Sequence, residues 1–371
     1  MKNRSDEYYI QKTIQLARKG IGRVNPNPLV GSIIVKNGEI VGKGYHHCFG
    51  KDHAEVVALK NAGENARDAT MYVNLEPCCH HGKTPPCTDA IIKAGIKRVV
   101  IGMVDPNPLV NQQGIKTLMN HGIEVTYGVE QAACEELNKV FVKYITQKLP
   151  YVTLKIAQSL DGRIATRTGH SQWITSEPAR KLAHQLRAKN DAVLVGIGTV
   201  LADDPQLSVR LAKGRNPSRI ILDSQLKIPL DSNLLTDRLV HKTIIVTVSE
   251  DSQKIRQIEA LGARVWQLES NVEGKVSLHT LMKKIFRNDM SAVMVEGGAK
   301  IITSFLRERL ADHIIVVVAP KILGSGIEAI GDLGIRIVDK GILLKNLQTR
   351  KLGDDFLIEG DLEYCNETGI R

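Results

Sequence analysis

Short apolar runs rich in Val and Ile alternate with amphipathic segments along this chain, and that alternation points to an α/β protein. Residues 5–19 read as a helix opened by Ser5 and closed by Gly20. LVGSIIVK and EIVGKGY, joined by Asn37-Gly38, read as a hairpin. HAEVVALKNA and TDAIIKAG are expected as helices, MYVNLEP, KRVVIGM and IEVTYG as strands, and EQAACEELNKVFVKYI as one closing helix. Leu149-Pro150 then interrupts the pattern and YVTLKIAQS restarts it. A chain of 371 residues exceeds what one core usually organises, so two domains are expected, residues 1–147 and 148–371.

The second alternation runs SEPARKLAHQLRAKN as helix, then DAVLVGIG, SRIILD, TIIVTV and ARVWQL as strands, with helices at 252–261 and 277–286. AVMVEGGAKIITSFLRERL reads as strand, Gly-Gly turn and helix, and DHIIVVVAP as a buried strand. GIGTVLADDP reads as a loop with a capped turn. A Gly-Gly turn entering a helix lets backbone N–H groups approach a phosphate, but no G-x-G-x-x-G follows a strand, so a Rossmann domain is not supported.

The formal charge is +10, yet Lys and Arg are scattered and only five Phe are present for base stacking. This argues against a nucleic-acid partner and suits a small phosphorylated substrate. No run of 18 apolar residues occurs and the N-terminal MKNRSDEYYIQ lacks an apolar signal core, so the expectation is a cytoplasmic protein without a membrane partner. In that reducing compartment the six cysteines are not expected to pair. Three of them, Cys78, Cys79 and Cys87, crowd into LEPCCHHGKTPPC, which points to metal.

His53-Ala54-Glu55 supplies an imidazole and, two residues on, a carboxylate that can stay off the metal and carry protons. Glu76-Pro77-Cys78 follows a strand, which suits a thiolate held at the head of the next helix. The pattern has the form of the zinc-deaminase signature, H-x-E followed by P-C-x-x-C. It departs in one respect: the second thiolate comes from Cys87, nine residues after Cys78, across a loop turned by Gly82 and Pro85-Pro86. Two other readings stay open, a structural zinc site and plainly packed thiols. A nucleobase deaminase would carry the short ligand spacing, and a zinc-bearing binding protein would offer four ligands and give Glu55 no role.

These residues resemble the bifunctional riboflavin-biosynthesis proteins, in which a diaminohydroxyphosphoribosylaminopyrimidine deaminase is fused to a 5-amino-6-(5-phosphoribosylamino)uracil reductase. The family segments NPxVG, GxHxxxGxxHAE and EPCxHxGKTPPC stand here as Asn27 to Gly31, Gly44 to Glu55 and Glu76 to Cys87. The resemblance implies a cytidine-deaminase-like α/β/α domain with His53, Cys78 and Cys87 on one Zn2+ and Glu55 as the proton carrier. Asn27, His46, His80, Lys83 and Thr84 would bind the deaminase substrate. Cys79 stands where many relatives have Ser and receives no metal role.

The resemblance continues through the second half, where KxAxSLDGxxA stands at 155–165, SxWIT at 171–175, ARxxxHxLR at 179–187, GxGTVLxDDPxLxVR at 196–210, RxxLD at 219–223 and EGGxxLxxxFL at 296–306 with Ile301 for Leu. It implies a dihydrofolate-reductase-like α/β domain that uses NADPH. Ser171, Arg187, Leu207, Arg210 and Glu296 would line its substrate. Ala157, Trp173, Thr199, Asp203, Gly298, Ala299, Lys300, Ile301, Ile302, Thr303 and Ser304 would contact NADPH. Asp203 and Lys155 are the candidate proton donors, and Arg180 and Lys181 are among those for a 2′-phosphate. A homo-oligomer joined through the reductase domains is the expected assembly.

Overall fold

In a computed structural model, which describes residues 4–80, 85–108 and 110–365, the chain divides into two compact units, Met1–Leu149 and Pro150–Arg371. The first contains α1 (Asp6–Ala17), β1 (Gly31–Lys36), β2 (Glu39–Tyr45), α2 (Ala54–Ala62), β3 (Thr70–Leu75), α3 (Cys87–Lys93), β4 (Arg98–Met103), α4 (Gln113–Asn120), β5 (Glu124–Tyr127), α5 (Gln131–Leu137) and α6 (Lys139–Gln147). Among the described residues its sheet runs β2-β1-β3-β4-β5. The β1–β2 and β1–β3 pairs are antiparallel and β3, β4 and β5 are parallel. Asn37 and Gly38 both take positive φ, 53° and 79°, as the hairpin turn between β1 and β2 requires.

Helix α2 lies directly on β2 because two glycines leave room for its backbone. A Cβ at Gly44 would sit 2.2 Å from the Ala54 carbonyl oxygen, and one at Gly42 2.4 Å from that of Ala58. This contact matters for function, since α2 begins at His53-Ala54-Glu55. Gly44→Ala should therefore push α2 off the sheet and cost about 1–3 kcal/mol, as overpacking of a close contact does. The check is the melting temperature of the variant. An unchanged value would mean that α2 does not depend on the close approach.

The second unit contains β6 (Tyr151–Ser159), β7 (Arg163–Thr166), α7 (Glu177–Lys189), β8 (Ala192–Gly196), α8 (Ile197–Asp203), β9 (Ser218–Leu222), α9 (Asn233–Thr236), β10 (Thr243–Thr247), α10 (Ser252–Ala260), β11 (Arg264–Gln267), α11 (Leu278–Phe286), β12 (Ala292–Glu296), α12 (Ala299–Arg307), β13 (His313–Ala319), β14 (Gly326–Glu328), β15 (Leu343–Leu352) and β16 (Asp355–Glu363). Among the described residues its main sheet runs β11-β10-β9-β8-β12-β6-β13-β16-β15. It is parallel from β11 to β13 and antiparallel at β16 and β15. Central strands such as β8 are buried at every position, as strands covered on both faces are. The outer strand β15 is largely exposed and carries Lys345, Arg350 and Lys351, charges that discourage open-edge association.

Two expectations from sequence are corrected. Residues 197–203 form α8 rather than a loop, because Val200 is buried and anchors a short turn of helix. The closing helix of the first half breaks at Asn138, between α5 and α6. There the Asn138 side chain accepts a hydrogen bond from the Leu29 N–H (2.8 Å) and donates one to the Leu29 carbonyl (3.1 Å).

Candidate metal centre and reductase site

His53 caps the N-terminus of α2, Cys78 lies three residues beyond β3, and Cys87 is the first residue of α3. The helix head thus belongs to Cys87, nine positions after Cys78, whereas the sequence pattern placed Cys78 there. Its backbone N–H nevertheless donates to Cys78 Sγ at 3.4 Å, so the helix end still serves that sulfur. His53 Nδ1 is 3.5 Å from Cys78 Sγ and 3.3 Å from Cys87 Sγ. All three donor atoms lie within 4.8 Å of one another.

Tetrahedral zinc with its usual Zn–S and Zn–N lengths needs sulfur and nitrogen ligands about 3.5 Å apart. The donor set and its spacing fit zinc. A hydrogen bond from the Cys87 thiol, with His53 beside it, pulls the Cys78 thiol well below its ordinary value, the direction that favours a metal-binding thiolate. Cys79 is not part of this group, and burial with the nearby Glu76 carboxylate pushes its thiol up.

Glu55 lies in the first turn of α2, 3% exposed, and its Oε2 has no hydrogen-bond partner among the described residues. Burial pushes this carboxyl up to about 7. A buried, unpartnered oxygen whose proton is finely balanced near neutrality is suited to carrying protons. His46 packs edge-on to His53, with ring centroids 5.4 Å apart, and its Nε2 is 3.1 Å from Asn27 Nδ2. Burial holds the His46 ring below its ordinary value, which favours the neutral form. Asn27 and His46 are thus brought to the metal cluster. His80 is exposed, and Lys83 and Thr84 lie outside the described residues.

Three supporting residues carried no signal of their own in the sequence. Asn74 accepts from the Gly31 N–H (2.7 Å) and donates to the Leu29 carbonyl (2.9 Å), which with Asn138 fixes the segment after Asn27. Glu76, two residues before Cys78, accepts backbone N–H bonds from Asp105, Gln112, Gly114 and Ile115 at 3.0 to 3.2 Å. It ties the 105–115 loop to the start of the cysteine segment.

In the second domain Arg187, Lys155 and Glu296 converge in a nearly buried cluster. Arg187 Nε donates to Glu296 Oε2 at 2.8 Å, and Lys155 Nζ is 3.6 Å from Oε1. Burial would raise the Glu296 carboxyl, but the two cations together hold it at about 2. Arg187 Nη1 also donates to the Ser208 carbonyl at 3.1 Å, so much of its fork is already engaged by protein. Arg210 donates its backbone N–H to His184 Nδ1 at 3.0 Å. Burial, with Arg187 and Arg210 beside it, holds His184 below its ordinary value and so neutral, able to accept that bond.

Glu296 ends β12, and Gly297 and Gly298 follow with φ of 107° and 71° before α12. Thr199 Oγ1 lies 3.3 Å from where a Gly297 Cβ would be, a tight contact, and the positive φ of Gly297 disfavours any side chain there. Of the α12 residues, Ile302 and Thr303 are buried, and Thr303 Oγ1 accepts from the Gly331 N–H at 2.8 Å. Their side chains face the protein; Ala299, Lys300, Ile301 and Ser304 complete the turn. Ser171 donates to Asp203 at 3.1 Å. Trp173 is 62% exposed, with the Arg180 guanidinium 4.6 Å above its ring. Ala157 lies on β6, and Leu207 is buried with φ of 49°.

Comparison with known proteins agrees with this division. A family profile described as "RibD C-terminal domain" matches residues 150–358, and one described as "Cytidine and deoxycytidylate deaminase zinc-binding region" matches residues 3–103. The riboflavin biosynthesis protein RibD of Aquifex aeolicus is 48% identical over 354 residues, covering 95% of this chain and 97% of that protein. A crystal structure of a diaminohydroxyphosphoribosylaminopyrimidine deaminase/5-amino-6-(5-phosphoribosylamino)uracil reductase from Thermotoga maritima superposes with a TM-score of 0.83 at 39% identity, covering 97% of this chain and 99% of that one. Acinetobacter baumannii RibD gives a TM-score of 0.87 at 36% identity, covering 96% and 99%.

Proposed function

This chain belongs to the RibD family of riboflavin-biosynthesis proteins, and on that premise we propose that it deaminates 2,5-diamino-6-(5-phosphoribosylamino)pyrimidin-4(3H)-one and then reduces the ribosyl group of the product to ribityl. We assign the first step to residues 1–147 and the second to 148–371. The observation that carries the assignment is the His53, Cys78 and Cys87 cluster beside a buried, unpartnered carboxylate oxygen of Glu55.

Zinc held by His53, Cys78 and Cys87 would supply Lewis-acid activation of water. Glu55 takes a proton from the attacking water and returns it to the ring nitrogen, then takes the proton of the hydroxyl now on the ring carbon and gives it to the amine, so that the C–N bond breaks, ammonia leaves and the carbonyl forms. Water and the amino group are exchanged for a carbonyl and ammonia, so the step balances. Asn27 and the neutral His46 orient the pyrimidine through hydrogen bonds, with His80, Lys83 and Thr84 assigned to the same substrate.

In the reductase domain NADPH would supply the hydride for C1 of the opened ribosyl group. Support for its site comes from the Gly297-Gly298 turn at the head of α12, which suits phosphate, and from the exposed Trp173 ring, which suits a flat base. Ala157, Thr199 and Asp203 are assigned to the same cofactor. Ser171, Leu207, Arg187, Arg210 and Glu296 are assigned to the substrate, with Arg210 the cation for its phosphate. We place the enzyme in the cytoplasm as a homo-oligomer joined through the reductase domain; the exposed Leu343, Leu347 and Phe356 favour packing through the face of the β15–β16 hairpin, while the charged edge of β15 disfavours pairing along the strand.

A coupled assay tests the whole reading. Zinc-loaded protein given the diaminopyrimidinone should release ammonia without nucleotide, and should oxidise NADPH only after that release. Folded, zinc-loaded protein that gives neither signal would leave a binding protein as the better account.

A further inference from the structure

Arg219 is the largest fully buried side chain among the described residues, 1% exposed on β9, and no step described above uses it. Its guanidinium forks onto Asp237, with Nη1 to Oδ2 at 2.6 Å and Nη2 to Oδ1 at 2.9 Å. Nε and Nη2 donate to Thr243 Oγ1, and Nη2 donates to the Leu234 carbonyl at 3.0 Å. The remaining bond runs from Nη1 to the Gln206 carbonyl at 3.1 Å.

Gln206 precedes Leu207, which is buried in the left-handed region with φ of 49°, a conformation that a branched residue holds only when its surroundings impose it. The turn that Arg219 grips at Leu234 and Asp237 also holds this segment: Asn233 donates to Asp204 Oδ1, Oδ2 and carbonyl at 2.9, 2.8 and 3.0 Å. From the other side, Ser208 is held by Arg187, Val209 by Asn216 and Arg210 by His184. The strap 204–210 is therefore held on one side by Arg187, Asn216 and His184 and on the other by the Arg219–Asp237 pair, in which Arg219 is buried and Asp237 is 21% exposed.

A buried ion pair is weak evidence of stabilisation, because well-packed apolar residues in its place are often as stable or more so. What apolar residues cannot do is fix the Gln206 carbonyl and, next to it, the backbone of Leu207. We propose that Arg219 is a positioning residue of the reductase site, setting the strap that presents Leu207 and Arg210 to the ribosylamino phosphate. The proposal rests on the functional reading above.

The double variant Arg219→Met/Asp237→Leu removes the clamp while leaving an apolar pair in its place. Its melting temperature and its NADPH affinity should stay near those of the unmodified enzyme. Its KM for 5-amino-6-(5-phosphoribosylamino)uracil should rise about tenfold with kcat nearly unchanged, the effect of losing about 1.4 kcal/mol of substrate binding. Arg219→Lys, which keeps the charge without the fork, should fold in any case and give an intermediate KM. An unchanged KM in a stable double variant would overturn the proposal. So would a parallel loss of melting temperature, NADPH affinity and kcat in both variants, which would make Arg219 merely structural. If the unmodified enzyme did not oxidise NADPH at all, the functional reading would fall and this inference with it.

Discussion

Glu55→Gln should lower ammonia release by about 10²- to 10⁴-fold, the usual contribution of a positioned acid–base group, while the variant should keep its zinc and the reductase activity proposed for the second domain. Three observations support the size of this effect. Glu55 is buried, its Oε2 lacks a partner among the described residues, and burial raises its carboxyl to about 7. Gln has the same shape and fills the same space beside α2, so the metal ligands keep their places. It cannot take a proton from water. Ammonia release, bound zinc and NADPH oxidation measured on one preparation make the check. Zinc lost together with activity would mean that Glu55 holds the site together, and undiminished ammonia release would exclude it as the proton carrier.

Arg187→Met should destabilise the reductase domain by about 3–5 kcal/mol, the cost of removing one partner from a buried pair. Glu296 would keep only Lys155, at 3.6 Å, and the Ser208 carbonyl would lose its donor. Against a domain stability of about 5–15 kcal/mol this is a large fraction. The pH dependence carries a definite sign. In the unmodified protein the Glu296 carboxyl, held at about 2, lies below its unfolded value of about 4.3. Its contribution is complete above the unfolded value and is lost as pH falls towards the folded one.

Without Arg187 the Glu296 carboxyl loses its closest cation, its folded value moves up and this contribution shrinks. The stability gap between the two proteins should therefore be wide near about pH 7 and narrow as pH falls from about 4 towards about 2. Calorimetry of the reductase transition across that range is the test. A gap independent of pH would show that lost packing, not the ion pair, accounts for the effect.

Much of the metal centre was legible from local sequence. His53 and Glu55 sit two apart at a helix start, and Cys78 and Cys87 flank a loop, so their order and spacing carried the donor set without any knowledge of the sheet. The β1–β2 hairpin was legible for a similar reason, because Asn37-Gly38 imposes positive φ on adjacent residues. Helix α8 was not, since its seven residues hold Gly198 and Asp203, are flanked by Gly196 and Asp204, and are ordered by the burial of Val200. Nor was the break at Asn138, which depends on a bond to Leu29, more than a hundred residues earlier in the chain.

Sequence by itself determined the class of the fold and the His53, Cys78 and Cys87 donor set, because hydrophobic period, turn chemistry and ligand types are read from the chain itself. The tertiary structure alone decided which groups are buried and what holds them. Glu76 became the anchor of a loop some thirty residues away, Glu296 met Arg187 and Lys155 from separate elements, and Arg219 reached Gln206 and Asp237 from β9. Each of these depends on desolvation and on a partner distant in the chain, quantities that exist only once the sheets have closed over them.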